Sequence, residues 1–186
     1  MNNGNVSWYK KVQYKDGAPL EQGDILFNCP YFNVTEVGEN GDAKAKTILY
    51  NVLILSQSCD IANGKIDKIF VAPWVYLSEV FEQKEKENGQ ELGKDKKKNF
   101  FKQLSSGKAM SHYLLDEDAN IGLEDYLVVD FSNSFTISLS TMKELANQQE
   151  EIIRLISPYK EHLSQAFARF FMRVGLPNNL INPFGK

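Results

Sequence analysis

Ser56-Gln57-Ser58-Cys59-Asp60 sets two hydroxyls, an amide, a thiol and a carboxylate within five residues. It directly follows Thr47 to Leu55, the most apolar stretch of the chain. Side chains at the end of a buried strand emerge on a rigid rim, where functional groups are held accurately. There Asp60 can act as a general base or orient a ribose hydroxyl. Ser58 and Gln57, with Ser56, can hydrogen-bond a phosphate. Cys59 is a nucleophile if its thiol is deprotonated, which opens a thiol-dependent enzyme as a third reading. The same residue types build polar turns unaided, and Asn63-Gly64 beyond them is a turn signal.

A second cluster is cationic. Lys96, Lys97 and Lys98 sit in Lys94 to Lys108, with Phe100-Phe101 embedded. Lysines meet phosphates and rings stack on bases, a combination that suits single-stranded nucleic acid. The competing reading is a solvated helix whose two phenylalanines dock on the rest of the protein. Trp74, after Pro73, either stacks a base at a rim or plugs the core. His112 can exchange protons near neutrality, but it stands alone in sequence, and His162 reads as a surface residue of a helix. The two cysteines, Cys29 and Cys59, and the two histidines match no metal-ligand spacing, so neither metal nor cofactor is expected.

These groups must be held by something. The chain has 186 residues, 42% of them hydrophobic and 24% charged, which is the composition of an ordinary globular domain. A net charge of -3 excludes a strongly basic nucleic-acid packaging protein. That total hides a local contrast, since residues 82–108 carry eight Lys against five acids. No apolar run approaches the ~20 residues that cross a bilayer. The N-terminus is polar and lacks the apolar core of a secretory signal. Together with the few cysteines, this points to the cytoplasm, free thiols and no membrane partner.

Strands dominate the first two-thirds. Trp8 to Tyr14 alternates weakly and reads as an edge strand, followed by turn signals at Asp16-Gly17. Ile25 to Cys29 is a short strand closed by Pro30, and Asn33 to Lys46 a hairpin or mobile loop. Thr47 to Leu55 reads as a central strand buried on both faces. Ile69 to Ala72 is a strand stopped by Pro73. Residues 76–108 form an inserted helical, basic excursion with a mobile tip. His112 to Leu115, Tyr126 to Phe131 and Phe135 to Leu139 are further strands. Thr141 caps a short helix to Asn147, with Glu144 completing a capping box. Ser157 and Pro158 open a closing helix that runs to Gly175, with Pro177 beyond. Five or six strands without β-α-β alternation predict a small antiparallel barrel with appended helices.

The order of these pieces resembles the MazF/PemK family of small toxin ribonucleases. Gln22-Gly23-Asp24-Ile25-Leu26-Phe27 is similar to that family's opening Arg-Gly-Asp strand. Asn51 to Ser56 resembles its Arg-Pro-Val-Leu-Val strand, and Ile69 to Pro73 its Val-Ala-Pro strand. Gly122-Leu123-Glu124-Asp125 and Ile137-Ser138-Leu139 follow in the expected order. The resemblance covers most of residues 20–176 outside the insertion. It implies a single domain with an SH3-like barrel over about 8–75 and 109–140, the insertion at 76–108 and C-terminal helices at 141–176. It also implies RNA as ligand, a homodimer and a small antitoxin-like partner. Two departures stand out. Asn51 takes the place of the family's catalytic arginine, so it remains an RNA-contact candidate without the charge. Trp74-Val75 takes the place of its threonine. The sequence thus predicts either a metal-independent endoribonuclease with a rewired site at Asp60, or a non-catalytic binding module of the same fold.

Overall fold

The computed structural model describes residues 7–15, 19–149 and 151–172. Their strands are β1 (Tyr9–Gln13), β2 (Asp24–Val37), β3 (Ala43–Ile54), β4 (Lys68–Tyr76), β5 (His112–Leu115), β6 (Leu127–Asp130), β7 (Phe135–Ser138) and β8 (Glu151–Leu155). The helices are α1 (Ser58–Ala62), α2 (Leu77–Asn88), α3 (Lys94–Ser105), α4 (Leu139–Gln149) and α5 (Tyr159–Phe171). All strand pairings are antiparallel, in the spatial order β1-β8-β2-β3-β4-β6-β5, with β7 paired to β4.

The period-two alternation of a strand sends neighbouring residues to opposite faces, and here both faces are covered. Leu53, Ala72, Trp74, Ile153 and Leu155 share one face with Leu163 of α5. Val52, Ile54, Ile69, Val71 and Ile152 share the other with Met142 and Ala146 of α4. A third cluster of Leu77, Leu104 and Val128 seats the α2–α3 hairpin on the sheet. The apolar run to Leu55 is therefore buried on both sides from Val52 onward, whereas Ala43 to Thr47 is exposed.

The sheet does not close into a barrel. Its ends, β1 and the turn after β5, are joined by side chains instead of a ladder. The Tyr9 hydroxyl donates to the Asp116 carbonyl at 2.6 Å, and the Ser7 hydroxyl donates to the Asp118 carboxylate at 2.5 Å. Mainly antiparallel β structure with added helices is thus correct, and the expected closed cylinder is replaced by a curled open sheet.

Both prolines expected to stop strands lie inside them. Pro73 pairs with Val52 on the β3 side, while on the other side β7 reaches only Val71 and β6 begins at Trp74. Its missing N–H falls in that gap. Pro30 lies beyond the two-residue pairing of β2 with β8, where no strand among the described residues pairs with the outer edge of β2. Of the two readings for 33–46, a hairpin or a mobile loop, the hairpin is the one found: it is the tip of a long β2–β3 arm, turned at Gly38 to Asp42. Residues 76–108 form two ordered helices, and Leu92 N–H donates to Glu85 at 2.9 Å, pinning their turn.

Strand β8 was not foreseen, and it occupies the centre of the first half of the sheet. Arg154 breaks its apolar pattern but is satisfied in place. Its Nε and Nη2 grip Asp24 at 2.5 and 2.9 Å, and Nη1 pairs with Glu21. Gly23, beside Asp24, needs a positive φ of 86°, and a Cβ there would meet Leu155 Cβ at 2.9 Å. Helix α4 starts earlier than Thr141, because Ser138 Oγ accepts the Thr141 N–H at 3.1 Å and acts as the cap. In α5 the cap position falls on Pro158, and Ser157 Oγ donates to Glu161 at 2.8 Å instead. The expected helix end at Gly175 and the Asp16-Gly17 turn lie outside the described residues.

Candidate functional site: a cleft between α3, β5 and α5

Strand β5 is the last in the sheet, and no strand among the described residues pairs with its outer edge. A cleft of about 550 Å³ runs along that edge. An open edge explains why consecutive residues His112, Tyr113 and Leu114 all line it, although they alternate across the sheet. Helix α5 supplies another wall through His162, Gln165, Ala166 and Arg169, an i, i+3, i+4, i+7 stripe on one helix face. The end of α3 and the turn after it, from Phe101 and Leu104 to Met110, supply the third wall.

The cleft is rich in rings held by other rings. Trp8 stacks on Tyr159 with centroids 4.2 Å apart and planes within 10°. Phe101 meets Tyr126 edge-on at 5.1 Å, and Tyr113 stacks over Phe131 at 6.2 Å. Such packing fixes the aromatic surfaces before any ligand arrives.

Charge in the cleft comes from few groups. Among the described residues that line it, Arg169 is the one arginine and Asp116 the one carboxylate. Burial pushes the Tyr113 phenol up to about 12, with Arg169 working against the shift, so the hydroxyl remains a neutral donor near neutrality. Burial, reinforced by Asp116, Glu117 and Asp125, likewise raises Tyr126. The Nδ1 of His112 lies 3.0 Å from Ser111 Oγ. Across the β5–β6 pair His112 faces Asp130. Burial disfavours the Asp130 carboxylate, but hydrogen bonds from Ser132 and Asn133 and the charge of His112 outweigh it and hold its pKa below the usual range.

The sequence missed this site because its two histidines are isolated in the chain. Only the pairing of β5 at the sheet end and the docking of α5 bring His112 and His162 to one cleft. The spacing of His162 and Arg169 on one helical face was the available signal.

No family model matches the chain, and no curated protein matches it. The site therefore stands on its own geometry.

The polar cluster after β3 forms α1 and its N-terminal cap, away from the cleft. The Ser58 hydroxyl accepts the Gln22 N–H at 3.1 Å, and Ser56 Oγ accepts the Phe70 N–H at 2.8 Å. Gln57 is exposed at the cap. Asp60 pairs with Lys65 at 3.7 Å, and the exposed Cys59 thiol lies 3.9 Å from it. None of Gln57, Ser58, Cys59 and Asp60 lines the cleft. Ser58 and Ser56 are thereby committed to main-chain N–H groups, of Gln22 before β2 and of Phe70 in β4.

Asn51 is similarly engaged. Its Oδ1 accepts the Asn28 N–H at 3.2 Å, where Asn28 adopts a positive φ of 56° in the bulge of β2. The Gln149 amide grips Phe27 from the other direction, donating to its carbonyl at 2.9 Å. Trp74 requires a correction: it is 2% exposed and packs edge-on against Phe27 and Tyr76, so no ring face is offered to a base. Its buried Nε1 has no hydrogen-bond partner among the described residues.

The three lysines separate. Lys97 turns inward, pairing with Glu85 at 2.9 Å and lying 5.4 Å from the Phe81 ring centroid. Lys98 shares a helix face with Lys94, Lys102 and Ser105, and Ser105 lines the cleft. Lys96 belongs to a different face, with Asn99 and Gln103. Phe100 and Phe101 dock in the third core cluster. Among the described residues, no three His, Cys, Asp or Glu side chains group as a metal site requires. No helix among them is long and apolar enough to cross a membrane.

Proposed function

We propose that this protein binds single-stranded RNA in the cleft between α3, β5 and α5. The observation that carries the reading is the meeting of fixed aromatic faces with Arg169 and two histidines along one open strand edge. Bases stack on such rings regardless of sequence, and cationic groups hold the backbone between them. Lys98 and Lys102 continue the cationic track from the cleft lip along α3.

The reading takes the curled sheet as a divergent, open relative of the PemK/MazF-like barrel, working in the cytoplasm. The positions matching that family's arginine and threonine carry no free catalytic group: Asn51 serves the β2 bulge and Trp74 is enclosed. Binding, and any chemistry, then moves to the other end of the sheet. An acidic antitoxin-like partner would compete for the same lysine face.

The test is fluorescence anisotropy with a short mixed-sequence RNA in EDTA, across a salt series. Affinity falls as salt rises, and Arg169→Ala and Trp8→Ala each weaken binding, the latter by about 1–3 kcal/mol. Affinity that ignores salt and both substitutions refutes the assignment.

A further inference from the structure

We propose that His112 and His162 are the acid–base pair of a metal-independent RNA-cleaving centre in this cleft, with Arg169 holding the scissile phosphate. The inference rests on RNA binding there and adds chemistry to it.

Both histidines of the chain line this one cleft, one from β5 and one from α5. Cleavage by an internal nucleophile needs two proton transfers at opposite ends of one phosphate, which two separate imidazoles supply. His112 belongs to the sheet edge and His162 to α5, so a strand held in the cleft meets one imidazole from each element. Ser111 Oγ occupies His112 Nδ1, which leaves Nε2 for the ligand. The His162 ring meets Tyr159 edge-on at 6.2 Å. Two helical turns beyond His162 on the same face stands Arg169, about 10 Å along the helix axis. A guanidinium suits the phosphate oxygens, whose charge grows in the transition state. The neutral Tyr113 hydroxyl lines the same cleft as a further donor.

The step balances without any co-reactant. One imidazole takes the proton of the ribose 2′-hydroxyl, and the 2′-oxygen forms a bond to phosphorus. The bond from phosphorus to the 5′-oxygen breaks, and the other imidazolium gives that oxygen its proton. The products are a 2′,3′-cyclic phosphate and a 5′-hydroxyl. A 2′-O-methyl strand binds but cannot react.

The experiment uses the full chain, ordinary and 2′-O-methyl RNA of one sequence, and EDTA throughout. Wild type is expected to cleave ordinary RNA to cyclic-phosphate ends. His112→Gln and His162→Gln each lower the cleavage rate by roughly 10²–10⁴-fold. Far-UV circular dichroism reports that both variants fold, and their affinity for 2′-O-methyl RNA falls far less than the cleavage rate. Binding of 2′-O-methyl RNA without cleavage of ordinary RNA by wild type overturns the catalytic assignment and leaves the binding reading intact. Cleavage unchanged in both variants overturns it as well. Absence of binding to either RNA overturns both.

Discussion

His112, at the start of the last strand of the sheet, and His162, on the closing helix, line the same cleft. Nothing local in the chain links them. Their meeting depends on where β5 stands in the sheet and on which face α5 buries. Leu163, fully buried next to His162, fixes that face. Near the same end of the sheet the Tyr9 hydroxyl reaches the Asp116 carbonyl, just beyond the end of β5.

The cationic track on α3 is directional. Lys98 and Lys102 share the face that leads to Ser105 at the cleft, while Lys96 does not. Each phosphate-contacting lysine removed should lower the salt dependence of RNA binding by about one unit of slope. Lys98→Ala with Lys102→Ala is therefore expected to flatten the slope by about two, and Lys96→Ala to leave it unchanged. A salt series on the three proteins reads this directly.

Trp74 belongs to the core. Trp74→Phe keeps most of the ring and removes a buried Nε1 that has no hydrogen-bond partner among the described residues. The loss of packing volume and the removal of an unsatisfied donor oppose each other at about 1–3 kcal/mol each. Urea unfolding should show a net change within about 1 kcal/mol. RNA affinity should match wild type, in contrast to the result at a stacking ring.

The buried Arg154–Asp24 pair supports β8 between β1 and β2. Arg154→Met leaves Asp24 ionised or protonated in a fully enclosed position. Removing one partner of such a pair costs about 3–5 kcal/mol. By comparison, Lys44→Ala breaks an exposed pair with Glu36 and should cost under about 1 kcal/mol. Chemical denaturation separates the two cases.

Asp130 gives a pH signature. Its folded carboxyl is held below the ordinary range, so the unfolded chain binds this proton at higher pH than the folded one. The resulting stability is full above the unfolded value of about 3.9 and is lost as pH falls through the lower folded value. Asp130→Asn should thus be less stable than wild type by roughly 1 kcal/mol at neutral pH, allowing for its partial exposure. The gap should close in acid. Unfolding curves from pH 7 down to about 2.5 test the sign.

Much of the sheet was legible in the chain. His112 to Leu115, Tyr126 to Phe131 and Phe135 to Leu139 were each read within a residue or two of the observed strands. Pro30 and Pro73 misled because a proline ends a strand only where a neighbour needs its N–H, and neighbours are a tertiary property. Strand β8 escaped notice because Arg154 looks like a surface residue until Asp24 is seen opposite it. The docking of Phe100 and Phe101 was one of the two readings offered, and the third core cluster contains both. The cleft could not be read locally, because its walls come from α3, β5 and α5. The dense cluster around Asp60 attracted attention by composition, yet Ser58 and Ser56 bond to main-chain N–H groups there.

Photocrosslinking tests the central claim most directly. A 4-thiouridine-substituted RNA is irradiated with the protein, and the attached peptides are identified by mass spectrometry. The account predicts adducts in the segments that carry Trp8, Tyr113 and Arg169. Adducts confined to the β2–β3 arm or to the turn around Asp60 would contradict it.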